Sequence, residues 1–314
     1  MEMIGAAHEA QVDGSAIAWG ELGAGPPLVL LHGLWDSHRT WRRAAPVLAR
    51  DFRVLMPDLP GHGWSGRPDA PYTLSWYARM VAGWMDEIGL GRAHICGHSF
   101  GGGIAEWMLL QERSHVDRLA LVAAGGLGRE VGLGMRLAAV PALGPALTPL
   151  VTFVGLPVML LLSPATFGHI EPGEARRVVD MNRIPGTARA FQRTLMGIVD
   201  VFGQYVSMVD RAHEIAELPP MAVYWGTKDP VIPLQHGQRL LERLTRVSLT
   251  TYPGCGHYPH LDEAAGFARD LREFLCDPAR LPASVPGHER RCRLEPVGRS
   301  PPGPHVASAS APGR

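Results

Sequence analysis

Short apolar segments alternate with longer amphipathic segments along most of this 314-residue chain, and this alternation limits the folds open to it. The apolar segments lack the every-second-residue pattern of a half-exposed strand, which predicts strands buried on both faces. The segments between them have helical periodicity and supply the crossovers that parallel strands need. The pattern predicts an α/β fold built on an open, mostly parallel, doubly wound sheet.

The predicted strands are Ala16–Trp19, Leu28–Leu31, Arg53–Met56, Ala93–Cys96, Leu119–Ala123, Ala222–Trp225 and Ser248–Tyr252. The predicted helices are His38–Ala49, Leu74–Ile88, Phe100–Gln111, Pro172–Met181, Ala188–Val199, Leu234–Leu244 and Glu263–Leu275.

The alternation is interrupted once, between about Gly125 and Leu218, where no strand is predicted. A strand-to-helix connection normally takes about 2–6 residues, so a segment this long is expected to form a subdomain of its own. An insertion at the carboxyl end of a strand lies over the ligand crevice of such a sheet. We predict a core from residues 1–126 and 218–277, with residues 127–217 as a helical cap. Residues 278–314 are rich in Pro, Ser, Gly and Arg without periodicity, which predicts a disordered tail.

Composition excludes several classes of partner. Thirty basic residues balance thirty acidic ones, so no overall charge favours nucleic acid or an anionic membrane. The apolar run Ala146–Leu162 is shorter than a membrane span and contains two prolines, which favours a buried or lid helix over stable membrane insertion. The N-terminal sequence MEMIGAAHEA lacks the features of a signal peptide, and the four cysteines form no CxxC pair. Free thiols and a cytoplasmic location are therefore expected.

One motif carries most of the chemical information. Gly97-His98-Ser99-Phe100-Gly101 follows a predicted strand directly and opens a predicted helix. A G-x-S-x-G motif in that context places its serine on a sharp, strained turn, where flanking glycines relieve crowding. Ser99 is therefore the candidate nucleophile. The helix N-terminus behind it offers the Phe100 N–H to a developing oxyanion.

The run Leu30-Leu31-His32-Gly33-Leu34-Trp35 ends another apolar strand. The loop after this strand is expected to supply a second oxyanion donor, which we assign to the Leu34 N–H. His32 is a conceivable general base, but a histidine fixed by hydrogen bonds that shape the loop is the favoured interpretation.

A serine nucleophile needs a base, and the base needs an orienting carboxylate. With this motif the order along the chain is nucleophile, acid, histidine. Asp229 follows the strand ending in Tyr224-Trp225, and His257 follows the next strand, so both fit that order at strand ends. His260 is the weaker competitor for the base. Asp200 and Asp210 fall in the predicted cap and are expected to be surface charges.

Two other ligand patterns are disfavoured. Gly61–Gly66 formally matches GxGxxG, but prolines follow at once and no helix begins there to receive a pyrophosphate. No HExxH or similar cluster predicts a metal site. Neither a cofactor nor a metal is expected.

The runs LLHG, DLPGHGWSGRP, GHSFGG, GTKDPVIP and GCGHYPHLDE resemble the α/β-hydrolase superfamily over about residues 10 to 276. Within it the chain is similar to capped carboxylesterases and to hydrolases of meta-cleavage products. Haloalkane dehalogenases and epoxide hydrolases share the scaffold but carry aspartate as nucleophile, so Ser99 disfavours their activities.

The resemblance implies a serine hydrolase that cleaves carboxylic esters of small to medium apolar molecules through an acyl-enzyme. Trp35 and Tyr258 are candidate substrate contacts. The alternative is carbon–carbon bond hydrolysis of a meta-cleavage-type diketone acid, where family members use a cap arginine on the substrate carboxylate. Arg183, about 46 residues before Asp229, is the candidate for that role, although a surface role is favoured. His98 and Tyr258 depart from the Asn and Trp often found at those positions in such hydrolases. A non-catalytic ligand-binding protein on the same fold is a third, less favoured possibility.

Overall fold

Eight strands form one sheet in the computed structural model, which describes residues 3–131, 135–136, 139–140, 172–205, 207–215, 217–244 and 246–277. The sheet contains β1 (Ala6–Val12), β2 (Ser15–Leu22), β3 (Pro27–Leu31), β4 (Arg53–Pro57), β5 (Ala93–His98), β6 (Val116–Val122), β9 (Met221–Gly226) and β10 (Val247–Tyr252). A separate hairpin pairs β7 (Val199–Asp200) with β8 (Gly203–Gln204). In the main sheet the order is β1-β2-β4-β3-β5-β6-β9-β10. β2 pairs antiparallel with both of its neighbours, and all other pairs are parallel.

The described α-helices are α1 (Ala45–Leu48), α2 (Leu74–Glu87), α3 (Phe100–Gln111), α4 (Pro172–Asn182), α5 (Thr187–Met196), α6 (Met208–Arg211), α7 (Gln235–Arg243), α8 (Pro259–Asp262) and α9 (Ala264–Cys276). The helices α4 to α6 and the β7–β8 hairpin lie between β6 and β9 along the chain, in a segment called the insertion below.

Apolar side chains cover both faces of the sheet, as continuous apolar strands require. In β3, Leu28 and Leu30 belong to one buried cluster while Val29 and Leu31 belong to the other, because successive strand residues point to opposite faces. The first cluster includes side chains of α9, and the second includes side chains of α2 and α3. All four β3 leucine and valine side chains are fully buried. Burying each contributes about 1.5–3 kcal/mol to folding.

The predicted fold class is confirmed, and each predicted strand overlaps a strand of the sheet. β1 was not predicted. Its residues are mostly exposed, so it has no apolar pattern to detect. It is held instead by its antiparallel register with β2, from Ala6 opposite Glu21 to Val12 opposite Ser15.

A second expectation was wrong. The insertion contains the strands β7 and β8, although no strand was predicted there from the sequence. The Asp200 side chain accepts a hydrogen bond from the Phe202 amide at 2.7 Å, which closes the tight turn between them. Each strand has two residues, which is too short to show a periodic pattern.

Cys96 and Cys255 are free, whereas Cys276 at the end of α9 is disulfide-bonded. The expectation of free thiols is therefore wrong for Cys276. Within the described ranges, no helix combines the length and apolar character needed to cross a bilayer. The predicted apolar helix at Ala146–Leu162 and the predicted tail at residues 278–314 lie outside the described residues.

Candidate active site

Ser99 occupies the turn between β5 and α3, with φ +53° and ψ −116°. Residues other than glycine rarely adopt this backbone conformation, which persists where the surrounding structure holds it. The Ser99 amide donates to the Val122 carbonyl at 2.9 Å. Its own carbonyl accepts from the amides of Gly102 and Gly125 at 3.0 Å. These bonds fix Ser99 at the carboxyl end of β5.

The glycines of the motif permit a close approach between the turn and its neighbours. A Cβ added to Gly97 would lie 2.3 Å from the Gly101 carbonyl oxygen. A Cβ added to Gly101 would lie 2.5 Å from the carbonyl oxygens of both Leu31 and His32. Because these contacts are with backbone atoms, a larger residue at either position would push the turn out of place.

The two predicted oxyanion donors border Ser99. Phe100 is the first residue of α3, so its amide has no partner within the helix. Leu34 follows Gly33, and a Cβ added to Gly33 would lie 3.4 Å from Ser99 Cβ. Among the described main-chain hydrogen bonds outside regular elements, neither the Phe100 amide nor the Leu34 amide is a donor.

Asp229 and His257 meet at the ends of β9 and β10. His257 Nδ1 donates to Asp229 Oδ2 at 2.8 Å, and the Asp229 side chain is completely buried. Asp229 Oδ1 accepts from the amides of Val231 at 2.8 Å and Ile232 at 3.0 Å. The amides hold the carboxylate in place, and its bond to Nδ1 holds the histidine in the tautomer with a free Nε2.

His98 connects Ser99 to the histidine loop. It immediately precedes Ser99, and its Nε2 donates to the His257 carbonyl at 3.0 Å. The two imidazole rings lie 4.9 Å apart between centroids. In the described contacts, no hydrogen bond joins the Ser99 hydroxyl to His257. In many unliganded active sites that bond tightens only when a substrate binds.

His260, the competitor for the base, is occupied elsewhere. Its Nε2 lies 2.8 Å from Thr40 Oγ1, and its ring is tilted against Trp41 with centroids 4.5 Å apart. Burial, followed by the charge of His257, lowers the pKa of His260 well below its usual value. Burial and the neighbouring histidines likewise lower the pKa of His98 well below its usual value. Both rings therefore stay neutral beside His257.

The three candidate substrate contacts have different surroundings. Trp35 stacks on Phe191 of α5, with ring centroids 3.9 Å apart and an interplanar angle of 13°. Tyr258 packs against His98 with centroids 4.6 Å apart, and burial raises the pKa of its phenol well above the usual value. Arg183 follows α4 and is exposed.

Two arginines that are less exposed than Arg183 are Arg39, beyond β3, and Arg177 of α4. Both bind the same carboxylate: Arg39 Nε donates to Glu174 at 3.1 Å, and Arg177 Nε donates to it at 2.9 Å. Although burial works to raise the pKa of Glu174, these two arginines lower it to about 2. Arg177 also donates to Ser37 Oγ at 3.1 Å. The cluster ties α4 to the segment after β3.

The structure supports the favoured interpretation of His32. Its Nδ1 donates to the Gly33 carbonyl at 2.8 Å, and its Nε2 accepts from the Leu59 amide at 2.9 Å. Both ring nitrogens thus shape loops. No helix follows the GxGxxG-like loop Gly61–Gly66 directly, since α2 begins at Leu74. Within the described part of the chain, no three His, Cys, Asp or Glu side chains are grouped to hold a metal ion.

Several residues that support this site were not predicted from the sequence. Asn182 and Phe191 of the insertion contact Trp35, and His98 binds the His257 main chain. Contacts between residues far apart in sequence leave no local pattern. The one local signal for Asn182 is that it is a polar residue next to the end of a predicted helix.

An eight-stranded, mostly parallel sheet with a serine turn, an aspartate and a histidine at adjoining strand ends defines a class of α/β enzymes. The sequence matches the alpha/beta hydrolase family over residues 28–270. The chain therefore belongs to the alpha/beta hydrolase family, which confirms the resemblance seen in its motifs.

Individual relatives agree with this assignment. An uncharacterized protein of Mycobacterium tuberculosis is 36% identical over 261 residues, which cover 81% of this chain and 76% of the relative. The crystal structure of a bacterial membrane phospholipase A is 26% identical, with a TM-score of 0.70 over 86% of this chain and 85% of the other. A meta-cleavage product hydrolase structure is 25% identical, with a TM-score of 0.70 over 87% of this chain and 98% of the other.

Proposed function

We propose that this protein is a serine hydrolase that cleaves carboxylic esters of small to medium apolar molecules through an acyl-enzyme. The observation that carries the proposal is the 2.8 Å bond from His257 Nδ1 to the buried Asp229 carboxylate. The bond from His98 to the His257 carbonyl brings this pair next to the residue that precedes Ser99, and Ser99 itself is held in a strained turn. A nucleophile, an oriented base and a buried acid in this order are what acyl transfer requires.

The chemistry runs in two halves. Ser99 Oγ attacks the ester carbonyl while its proton passes to His257 Nε2, and the amides of Leu34 and Phe100 stabilise the oxyanion. His257 then protonates the departing alcohol and leaves an acyl group on Ser99. A water molecule, deprotonated by the same ring, then attacks the acyl carbon, and His257 returns the proton to Ser99 Oγ as the bond to the acyl group breaks and the acid leaves. Asp229 keeps its charge throughout and stabilises the imidazolium.

The preference for apolar substrates follows from the surface next to the oxyanion loop. Leu34 and Trp35 are partly exposed there, and Trp35 is backed by the buried Phe191, Leu195 and Val199 of the insertion. An apolar surface of this kind suits an acyl or aryl group better than a charged one. The likeness to a membrane phospholipase A also supports ester hydrolysis.

A panel of p-nitrophenyl esters of increasing acyl length tests the proposal, together with labelling by a fluorophosphonate. We expect turnover by the wild-type protein, covalent labelling at Ser99, and loss of both in Ser99→Ala. Residual activity of Ser99→Ala within tenfold of wild type contradicts the serine mechanism. A correctly folded wild-type protein that resists labelling favours the non-catalytic alternative.

Carbon–carbon bond hydrolysis is the second candidate, and the likeness to a meta-cleavage product hydrolase is the observation that favours it. The exposed Arg183 is a poor partner for a substrate carboxylate. We expect Arg183→Ala to leave turnover of a neutral ester and of a matched acid-bearing substrate unchanged. A selective loss on the acid-bearing substrate would rank this second candidate first.

A further inference from the structure

We propose that Asn182 is a positioning residue for the oxyanion hole, and that it acts by holding the Trp35 carbonyl so that the Leu34 amide stays aimed at the site. The inference rests on the proposed function, because it assigns the Leu34 N–H to the oxyanion. It makes the insertion a part of the catalytic geometry as well as a cover.

The turn that carries Leu34 is strained. It runs from Gly33 to Asp36 and is closed by a bond from the Asp36 amide to the Gly33 carbonyl at 3.3 Å. Its third residue, Trp35, has φ +60°, a conformation that turns normally assign to Gly or Asn. A tryptophan is stable there when outside contacts hold it.

The outside contacts come from the insertion. Asn182 Nδ2 donates to the Trp35 carbonyl at 3.0 Å and, at the same time, to the Val178 carbonyl one turn earlier in α4 at 2.8 Å. The side chain is therefore locked to its own helix while it holds the turn. Asn182 is 4% exposed, so water cannot easily replace the bond.

Apolar packing holds the same turn from the other side. Phe191 of α5 stacks on the Trp35 ring, and both Leu34 and Trp35 pack against the insertion cluster that contains Leu195. Helix α4 therefore binds the backbone of the turn, and helix α5 packs against the side chains of the turn. If Trp35 relaxes to a negative φ, the whole four-residue turn rotates and the Leu34 amide leaves its position.

The prediction for catalysis is specific. Removing an oxyanion donor outright lowers kcat by about 10²–10³. Misplacing one is expected to lower it by about 10- to 100-fold. Because the donor acts on the transition state, KM is expected to change by less than about threefold.

The main variant is Asn182→Asp, which keeps the shape but replaces the donor by an acceptor. We expect kcat on a p-nitrophenyl ester to fall about 10- to 100-fold. The second-order rate of fluorophosphonate labelling is expected to fall in parallel, since the phosphonyl oxygen occupies the same hole. Asn182→Gln retains an amide donor and should recover part of both losses. Arg176→Ala is the matched control, because Arg176 lies on α4 with its side chain 86% exposed.

The outcomes separate the two proposals. Wild-type labelling at Ser99 with equal labelling and kcat in Asn182→Asp overturns the positioning role alone. A loss in Asn182→Asp that is matched by a higher KM and a lower Tm, without recovery in Asn182→Gln, also overturns it, because that marks a structural role. Failure of the folded wild-type protein to react with fluorophosphonate overturns the proposed function and this inference with it.

Discussion

At the scale of single residues, Asp229 shows how a buried carboxylate can direct a histidine. Two main-chain amides bind one of its oxygens and His257 binds the other, so a side chain with no solvent exposure is fully hydrogen-bonded. A buried charge is tolerated when it is paired in this way. The same bonds leave one orientation open to the histidine ring.

Replacing Asp229 by Asn tests this role. The Asn oxygen is expected to keep the bonds from Val231 and Ile232, which turns its NH₂ group toward His257 Nδ1. The ring then carries its proton on Nε2 and cannot accept one from Ser99. We expect kcat to fall about 10³–10⁴-fold with little change in KM or Tm. Asp210→Asn, at an exposed position in the insertion, is the control.

An Asp229→Asn variant with kcat within tenfold of wild type would show that another acid orients the histidine. In that case Asp229 would be a structural residue that caps the turn leading to α7.

At the scale of elements, sequence patterns predicted what is repetitive and missed what depends on distant contacts. The buried strands β3, β4 and β9 carry continuous apolar runs, and Ser99 and Asp229 follow the buried strands β5 and β9, whereas His257 follows the partly exposed strand β10. The exposed edge strand β1 and the short hairpin of β7 and β8 lack that signal. The contacts of α4 and α5 with the Trp35 turn join residues about 150 positions apart in the sequence, and no local pattern encodes such contacts.

The packing of α3 against the end of β3 yields an element-scale prediction. Gly101→Ala places a Cβ 2.5 Å from the Leu31 and His32 carbonyl oxygens, and backbone cannot move aside cheaply. We expect the free energy of unfolding to fall by about 2–3 kcal/mol. Urea denaturation measures it.

Gly173→Ala in α4 is the matched control for that experiment, because a Cβ there meets nothing within 4 Å. Alanine is a better helix former than glycine, so this variant is expected to gain up to about 1 kcal/mol if it changes at all. Equal effects of the two substitutions would show that the contact beneath Ser99 is looser than the structure indicates.

At the scale of the whole molecule, the interior buries an unusual number of neutral imidazoles. His32, His62, His98 and His260 are each at most 3% exposed and lie around the carboxyl ends of the strands. Burial is the main cause that lowers the pKa of each, to about 3 for His62. Because the pKa of each buried ring is lowered, the free energy of unfolding is expected to depend on pH.

The sign of that dependence is fixed by the direction of these shifts. In the unfolded chain each histidine has a pKa near 6.5 and gains a proton as the pH falls below it, whereas the buried rings stay neutral. The stabilising contribution is therefore complete above pH 6.5 and declines as the pH falls toward the folded-state values. For His62, whose pKa in the folded protein is about 3, the stabilising contribution is expected to fall by about 1.4 kcal/mol between pH 7.5 and pH 5.5, and the contributions of the other three rings fall in the same direction.

Urea denaturation at pH 7.5, 6.5 and 5.5 measures this loss in a window above the titration of most carboxylates. His62→Gln removes one of the four groups, so its free energy of unfolding should fall by about 1.4 kcal/mol less than that of the wild type between pH 7.5 and pH 5.5, whatever its absolute stability. The slope of the free energy of unfolding against pH is informative, because the loss of a packing contact lowers this free energy equally at every pH. A wild-type free energy of unfolding that stays constant from pH 7.5 to pH 5.5 would show that the buried rings take up protons in the folded state.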